Sequence, residues 1–167
     1  MKLTSCLNFL GTDDKVGAMT RALALLLWLA AAGPNPTLVV QAPDSPVKID
    51  RASVVNAPDA PPVIVFAATN TTDTAIDTVM VIAYTFAADG TLKARQTAPA
   101  RRSLEPHETK FSTLVLDGFA PAPDNIVVIG VNQVQRQNSD AWWRTELQPL
   151  AEQAARGAVA RGSGGKK

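Results

Sequence analysis

Cysteine is almost missing. Cys6 is the only one in 167 residues, and it lies upstream of the long apolar run at residues 22–32. A domain beyond that run has no disulfide and no thiol nucleophile, so its core alone must stabilise it. Histidine is as scarce, with His107 the single example. Zinc and copper sites draw on several His, Cys or Met ligands, and that supply does not exist here. Aromatic residues make up only 5%, so the core has to rely on Val, Ile and Ala. Excess charge is also lacking. Setting aside residues 1–32 removes three basic and two acidic side chains from 16 and 15, and leaves 13 of each. Arg101-Arg102 is an isolated pair and residues 161–167 a short basic end, so without clustered Lys/Arg to displace condensed counterions no nucleic-acid partner is expected. No long segment of helical period separates the strand-like runs, which disfavours a parallel α/β sheet.

What is present begins with a leader. Arg21 precedes an apolar run ending in Ala30-Ala31-Ala32, followed by Gly33-Pro34-Asn35-Pro36. This order of charged flank, apolar stretch and small residues is that of a secretory signal peptide. The run is too short for the roughly 20 residues of a bilayer span, so no membrane span is expected after cleavage. Cleavage after Ala32 or after Ala42 fits, with Ala32 favoured because Pro43 follows Ala42. Asp13 and Asp14 put acid where a positive flank belongs, and Met19-Thr20-Arg21 reads as the natural start. The expected organisation is a leader over 1–32, a Pro-rich linker over 33–46, a β-sandwich over 47–148 and a flexible tail over 149–167.

Thr78-Val79-Met80-Val81-Ile82-Ala83-Tyr84-Thr85-Phe86 is β-branched, aromatic or apolar throughout, and Asp89-Gly90 follows. It reads as a central buried strand entering a hairpin. Further strands are expected over 47–54, 63–69, 92–97, 110–116, 125–135 and 141–147, with a loop over 98–102 and an edge at 47–54 and at 92–97. About seven strands with regular turn signals predict an all-β fold, a single antiparallel sandwich of immunoglobulin-like type. A signal helix precedes it and a short helical or disordered tail follows.

Two motifs carry a resemblance. Tyr84-x-Phe86 is followed by Gly90, and Leu104-x-Pro106-x-Glu108-Thr109-x-x-Phe111 forms a turn and strand. Together with residues 70–81 they resemble the bacterial immunoglobulin-like domains of the FxLYD type, over roughly residues 60–117. His107 stands where that family usually has Gly, and Ala87 where it often has Asp. The resemblance implies a sandwich fold, accessory or interaction roles at the cell envelope, and no catalytic residues.

Candidate chemistry is thin. His107 sits in a proline turn between acids and reads as a solvated turn residue, and no G-x-S-x-G elbow exists. Asp73, Asp77 and the Asn70 carbonyl share one loop, but their spacing fits no EF-hand; they read as turn formers. Trp142-Trp143 is the informative pair. Consecutive strand residues face opposite ways, so one ring packs inside and the other lies on an outer face or under a loop. That second ring is either covered by residues 147–155 or exposed, and exposed it forms with Arg144 and Gln135 a candidate spot for a protein or sugar. The expectation is an exported, periplasmic or extracellular, non-enzymatic module without cofactor or metal, binding a protein or surface polymer. The alternative is a structural accessory subunit that contributes a sheet edge to a larger assembly.

Overall fold

A computed structural model describes residues 36–118 and 120–163. The expected leader helix and the Met19 start lie outside these residues. Two sheets pack face to face. In the larger, β1 (Thr37–Val39), β7 (Ile126–Arg136), β4 (Ile76–Phe86) and β5 (Leu92–Leu104) lie side by side in that order. The short β8 (Trp142–Arg144) shares with β1 the edge of β7 that β4 leaves open. The smaller sheet orders β2 (Val47–Val55), β3 (Val63–Asn70) and β6 (Thr109–Val115). One helix, α1 (Gln148–Ser163), follows the strands.

β4 lies between β7 and β5, as its composition predicts, and works on both faces. Val79, Val81 and Ala83 join Ile49, Ile64, Phe66, Leu114, Ile129 and Val134 in the interior between the sheets. Ile82, Tyr84 and Phe86 face the other way, against Val128, Leu147, Ala151 and Ala155. Each such large side chain contributes on the order of 1.5–3 kcal/mol by leaving water. The hairpin after β4 is built as the Asp89-Gly90 pair suggests. The Gly90 amide donates to the Ala87 carbonyl, and Gly90 takes φ +85°, a left-handed conformation that costs glycine little.

Three expectations are corrected. Among the described residues the strands number eight, close to the seven or so expected, but the sandwich is not wholly antiparallel, because β1 runs parallel to β7. β1 lies in the expected linker. Its Thr-Leu-Val sequence suits a strand, and the open edge of β7 supplies partners, with the Val40 amide donating to the Ile129 carbonyl at 3.0 Å. The expected loop over 98–102 continues β5 instead, where Pro99 is tolerated because β5 is an edge strand. The tail, expected as helical or disordered, is helical over Gln148–Ser163 as α1. Leu147, Ala151 and Ala155 are four apart and fully buried on the outer face of the larger sheet. This narrow alanine stripe is weakly hydrophobic in sequence, yet small side chains allow close approach and alanine favours helix.

Candidate functional site

Trp142 and Trp143 divide as strand alternation requires. Trp143 pairs with Val134, packs against both core clusters, and donates its Nε1–H to Asp44 Oδ2 at 3.1 Å. Trp142 pairs with Gln135, and Arg144 with Gln133, on the opposite face. The Arg144 guanidinium lies 5.9 Å from the centroid of the Trp142 ring, a cation–π distance. Gln135 is tied to the Ser139 carbonyl at 3.1 Å. The structure thus brings Trp142, Arg144 and Gln135 together and lays the half-buried Trp143 against the core. The Trp142 ring is half-buried, and a ligand that stacks on it has to share it with Arg144.

The turn between β5 and β6 is locally determined. The Glu108 amide donates to the Glu105 carbonyl, with Pro106 and His107 between them and His107 at φ +59°. Pro followed by a positive φ is the type II turn, whose third position favours Gly. His107 Nε2 lies 2.8 Å from Asp73 Oδ1, and both side chains are exposed. Beneath them Asn70 is fully buried. Its Nδ2 faces the carbonyls of Thr74, Leu104 and Glu105 at 2.9–3.2 Å, and its Oδ1 accepts from the Thr72 amide. Asn70 therefore fastens two loops and has no capacity left for a ligand. Among the described residues, no three His, Cys, Asp or Glu side chains cluster closely enough to hold a metal ion.

Sequence reasoning missed the outer face of the smaller sheet. Phe111 is 65% exposed, Val55 45% and Val115 39%. Registers place them in rows, with Val55, Val63 and Val115 across one end, Ser53, Val65 and Thr113 in the middle, and Arg51, Ala67 and Phe111 at the other end. A hollow of about 150 Å³ is lined by Arg51, Ala52, Ser53, Val65, Phe66 and Phe111. In β6 the alternate phase faces inward, where β5 crosses. The Ser112 hydroxyl donates to the Ala100 carbonyl, and Lys110 Nζ donates to the Ser103 carbonyl at 3.2 Å. Those acceptors let Lys110 and Ser112 take inward positions and turn Phe111 out. A signal did exist in β2. Val47 and Ile49 alternate inward, then the phase slips so that Ala52 and Val54 do, which marks the bulge between Ile49 and Arg51. Beside it, Lys48 and the Thr69 hydroxyl hold the Asp50 carboxyl below its ordinary value.

No family model and no curated protein matches the sequence. The chain is similar to an X-ray structure of a hypothetical protein from Peptoclostridium difficile 630. Identity is 9% and the TM-score 0.50, over 68% of this chain and 92% of that one. DesR, a beta-glucosidase from Streptomyces venezuelae solved with D-glucose, matches at 18% identity and TM-score 0.33. That match spans 60% of this chain and 15% of the glucosidase. The first likeness concerns the fold alone, and the second carries no argument.

Proposed function

We propose that this chain is an exported, non-enzymatic sandwich module of immunoglobulin-like type that binds a protein or surface polymer at the bacterial cell envelope. The observation that carries the reading is Phe111, a large ring 65% exposed on a sheet face whose opposite end carries the exposed Val55 and Val115, with Val65 in the row between. Exposed apolar side chains grouped on one face mark interaction surfaces more often than scattered ones do. Trp142, Arg144 and Gln135 offer a second, smaller spot on the other sheet. The FxLYD-type resemblance points to the same interaction role. Export rests on the leader. Cleavage after Ala32 leaves β1 intact, whereas cleavage after Ala42 removes it together with Ala42, which is buried under α1. No helix among the described residues is long and apolar enough to cross a membrane.

A photo-crosslinking residue at position 111, expressed in a bacterial host with an intact envelope, tests the reading. A discrete adduct is expected at 111 and none from the same residue at 93, on the edge of the other sheet. Equal labelling from both positions overturns it. A second reading, the accessory subunit, is favoured by the free edge of β2.

A further inference from the structure

The backbone of β3 fixes where β2 points. The Asn70 amide donates to the Glu108 carbonyl, toward β6, so Asn70, Ala68, Phe66 and Ile64 face β6. The intervening Ala67, Val65 and Val63 then face β2, opposite Arg51, Ser53 and Val55. In β2 it is therefore Arg51, Ser53 and Val55 that pair with β3. Ala52 and Val54 aim their N–H and C=O groups at the open edge. Among the described residues no backbone group hydrogen-bonds to them there.

The β5 edge of the larger sheet is defended. β5 carries Pro99, Lys93 and Arg95, which block or discourage an added strand. The first half of β2 has the bulge and the Lys48–Asp50 ion pair at 2.8 Å. The stretch from Arg51 to Val55 has neither, and it borders the apolar face and its hollow. Arg51 is the one charged side chain in those rows, and among the described residues no carboxylate lies within 4.0 Å of it. Ser53, between the larger Arg51 and Val55, leaves a low point across which a neighbouring side chain reaches Val65 and Phe111. A volume near 150 Å³ accommodates a benzene-sized ring.

We propose that the Arg51–Val55 edge of β2 accepts an extended peptide strand from a partner protein. On this strand an aromatic residue fills the hollow over Ser53, and an acid two residues away pairs with Arg51. The backbone supplies affinity through Ala52 and Val54, and the two side chains supply selectivity. The inference rests on the binding-module reading and names its partner chemistry.

The probe is the acetylated amide Lys-Val-Thr-Phe-Thr-Glu-Thr, which in antiparallel register sets Val, Phe and Glu opposite Val55, Ser53 and Arg51. Saturating peptide added to the full chain is expected to slow exchange of the Ala52 and Val54 amides about tenfold or more. Ala52→Pro removes an edge donor that β3 does not use, and abolishes binding. Arg51→Glu weakens the Glu peptide about tenfold and prefers its Lys counterpart, a reversal that needs no folding change. Three outcomes overturn the inference: peptide binding that leaves both amides unprotected, no charge reversal, and concentration-dependent protection of those amides without peptide, which assigns the edge to a second copy. None of them touches the crosslink at position 111, so the module reading stands or falls separately.

Discussion

The hydroxyl of Tyr84 donates to Glu146 Oε1 at 3.3 Å, and the same oxygen accepts the Gln148 amide at 2.9 Å. One carboxylate thus joins the central strand to the first turn of α1. It satisfies an amide that a helix start otherwise leaves open, and it places negative charge at the positive end of the helix. The contact explains why α1 docks where it does although its apolar stripe is mostly alanine.

Burial of Tyr84, followed by the nearby Glu146 charge, pushes its phenol up to about 12. An unfolded chain releases that proton near 10, the ordinary value. The folded state therefore holds an extra proton between those limits. Its stabilising contribution is complete below pH 10 and is lost as pH rises to about 12. Tyr84 is the only tyrosine, so phenolate absorbance reports it alone. The native titration midpoint is expected near 12, against about 10 in denaturant. Tyr84→Phe is expected to flatten this part of the stability profile; coincident native and denatured titrations would contradict the packing.

Gly130 sets the depth of the same junction. A Cβ there would lie 2.6 Å from Leu147 Cδ1 and 2.7 Å from the Val40 carbonyl oxygen. Leu147 can rotate, but the carbonyl belongs to backbone bonded to β7. Gly130→Ala is expected to destabilise by roughly 1–3 kcal/mol, read from chemical denaturation, with α1 amides losing exchange protection first. Uniform loss of protection across both sheets would show that α1 is not the weaker unit.

Asn70 offers a test of polarity at fixed shape. Asn70→Ala removes the two N–H donors shared among the carbonyls of Thr74, Leu104 and Glu105 and is expected to cost about 1–3 kcal/mol. Asn70→Asp turns an acceptor toward those carbonyls and is expected to cost more at neutral pH. Burial and the carbonyl dipoles raise the introduced carboxyl above its unfolded value, so this variant regains stability as pH falls. Denaturant midpoints for both variants across the acidic range check the crossing. A gap between them that ignores pH would mean the loops have rearranged.

Strand positions were legible in the sequence wherever one face is buried and the other is wet or covered by a second core. β4 was readable because β-branched residues occupy both its faces, and the hairpin because Gly90 needs a positive φ. What was not legible depends on distant partners. β1 has three residues and gains its ladder only from β7. α1 shows a stripe of alanines that reads as weak until Gly130 lets it approach. Phe111 was read as part of a turn-and-strand motif, and its direction could not follow from local alternation. Lys110 and Ser112 can face inward because Ala100 and Ser103, on another sheet, supply carbonyl acceptors. His107 holds a φ of +59° that its residue type did not announce, because the turn after Pro106 sets it.

The tryptophan pair separates stability from recognition. Trp143 contacts both cores and bonds Asp44, so truncation removes packing on two sides and leaves a carboxylate without its donor. Trp143→Ala is expected to cost about 2–4 kcal/mol, toward the lower part of the range for buried tryptophan because the ring is only half-buried. Trp142 lies over the outer face with Arg144, and an exposed cation–π contact contributes about 0.5–1 kcal/mol. Trp142→Ala is expected to cost about 1 kcal/mol, with the same loss for Arg144→Ala and no further loss in the double variant. Urea denaturation of the four proteins closes the cycle. Additive losses at Trp142 and Arg144 would show that the guanidinium does not engage the ring. A Trp142 loss as large as that of Trp143 would place both rings in the core, against the alternation that divides them.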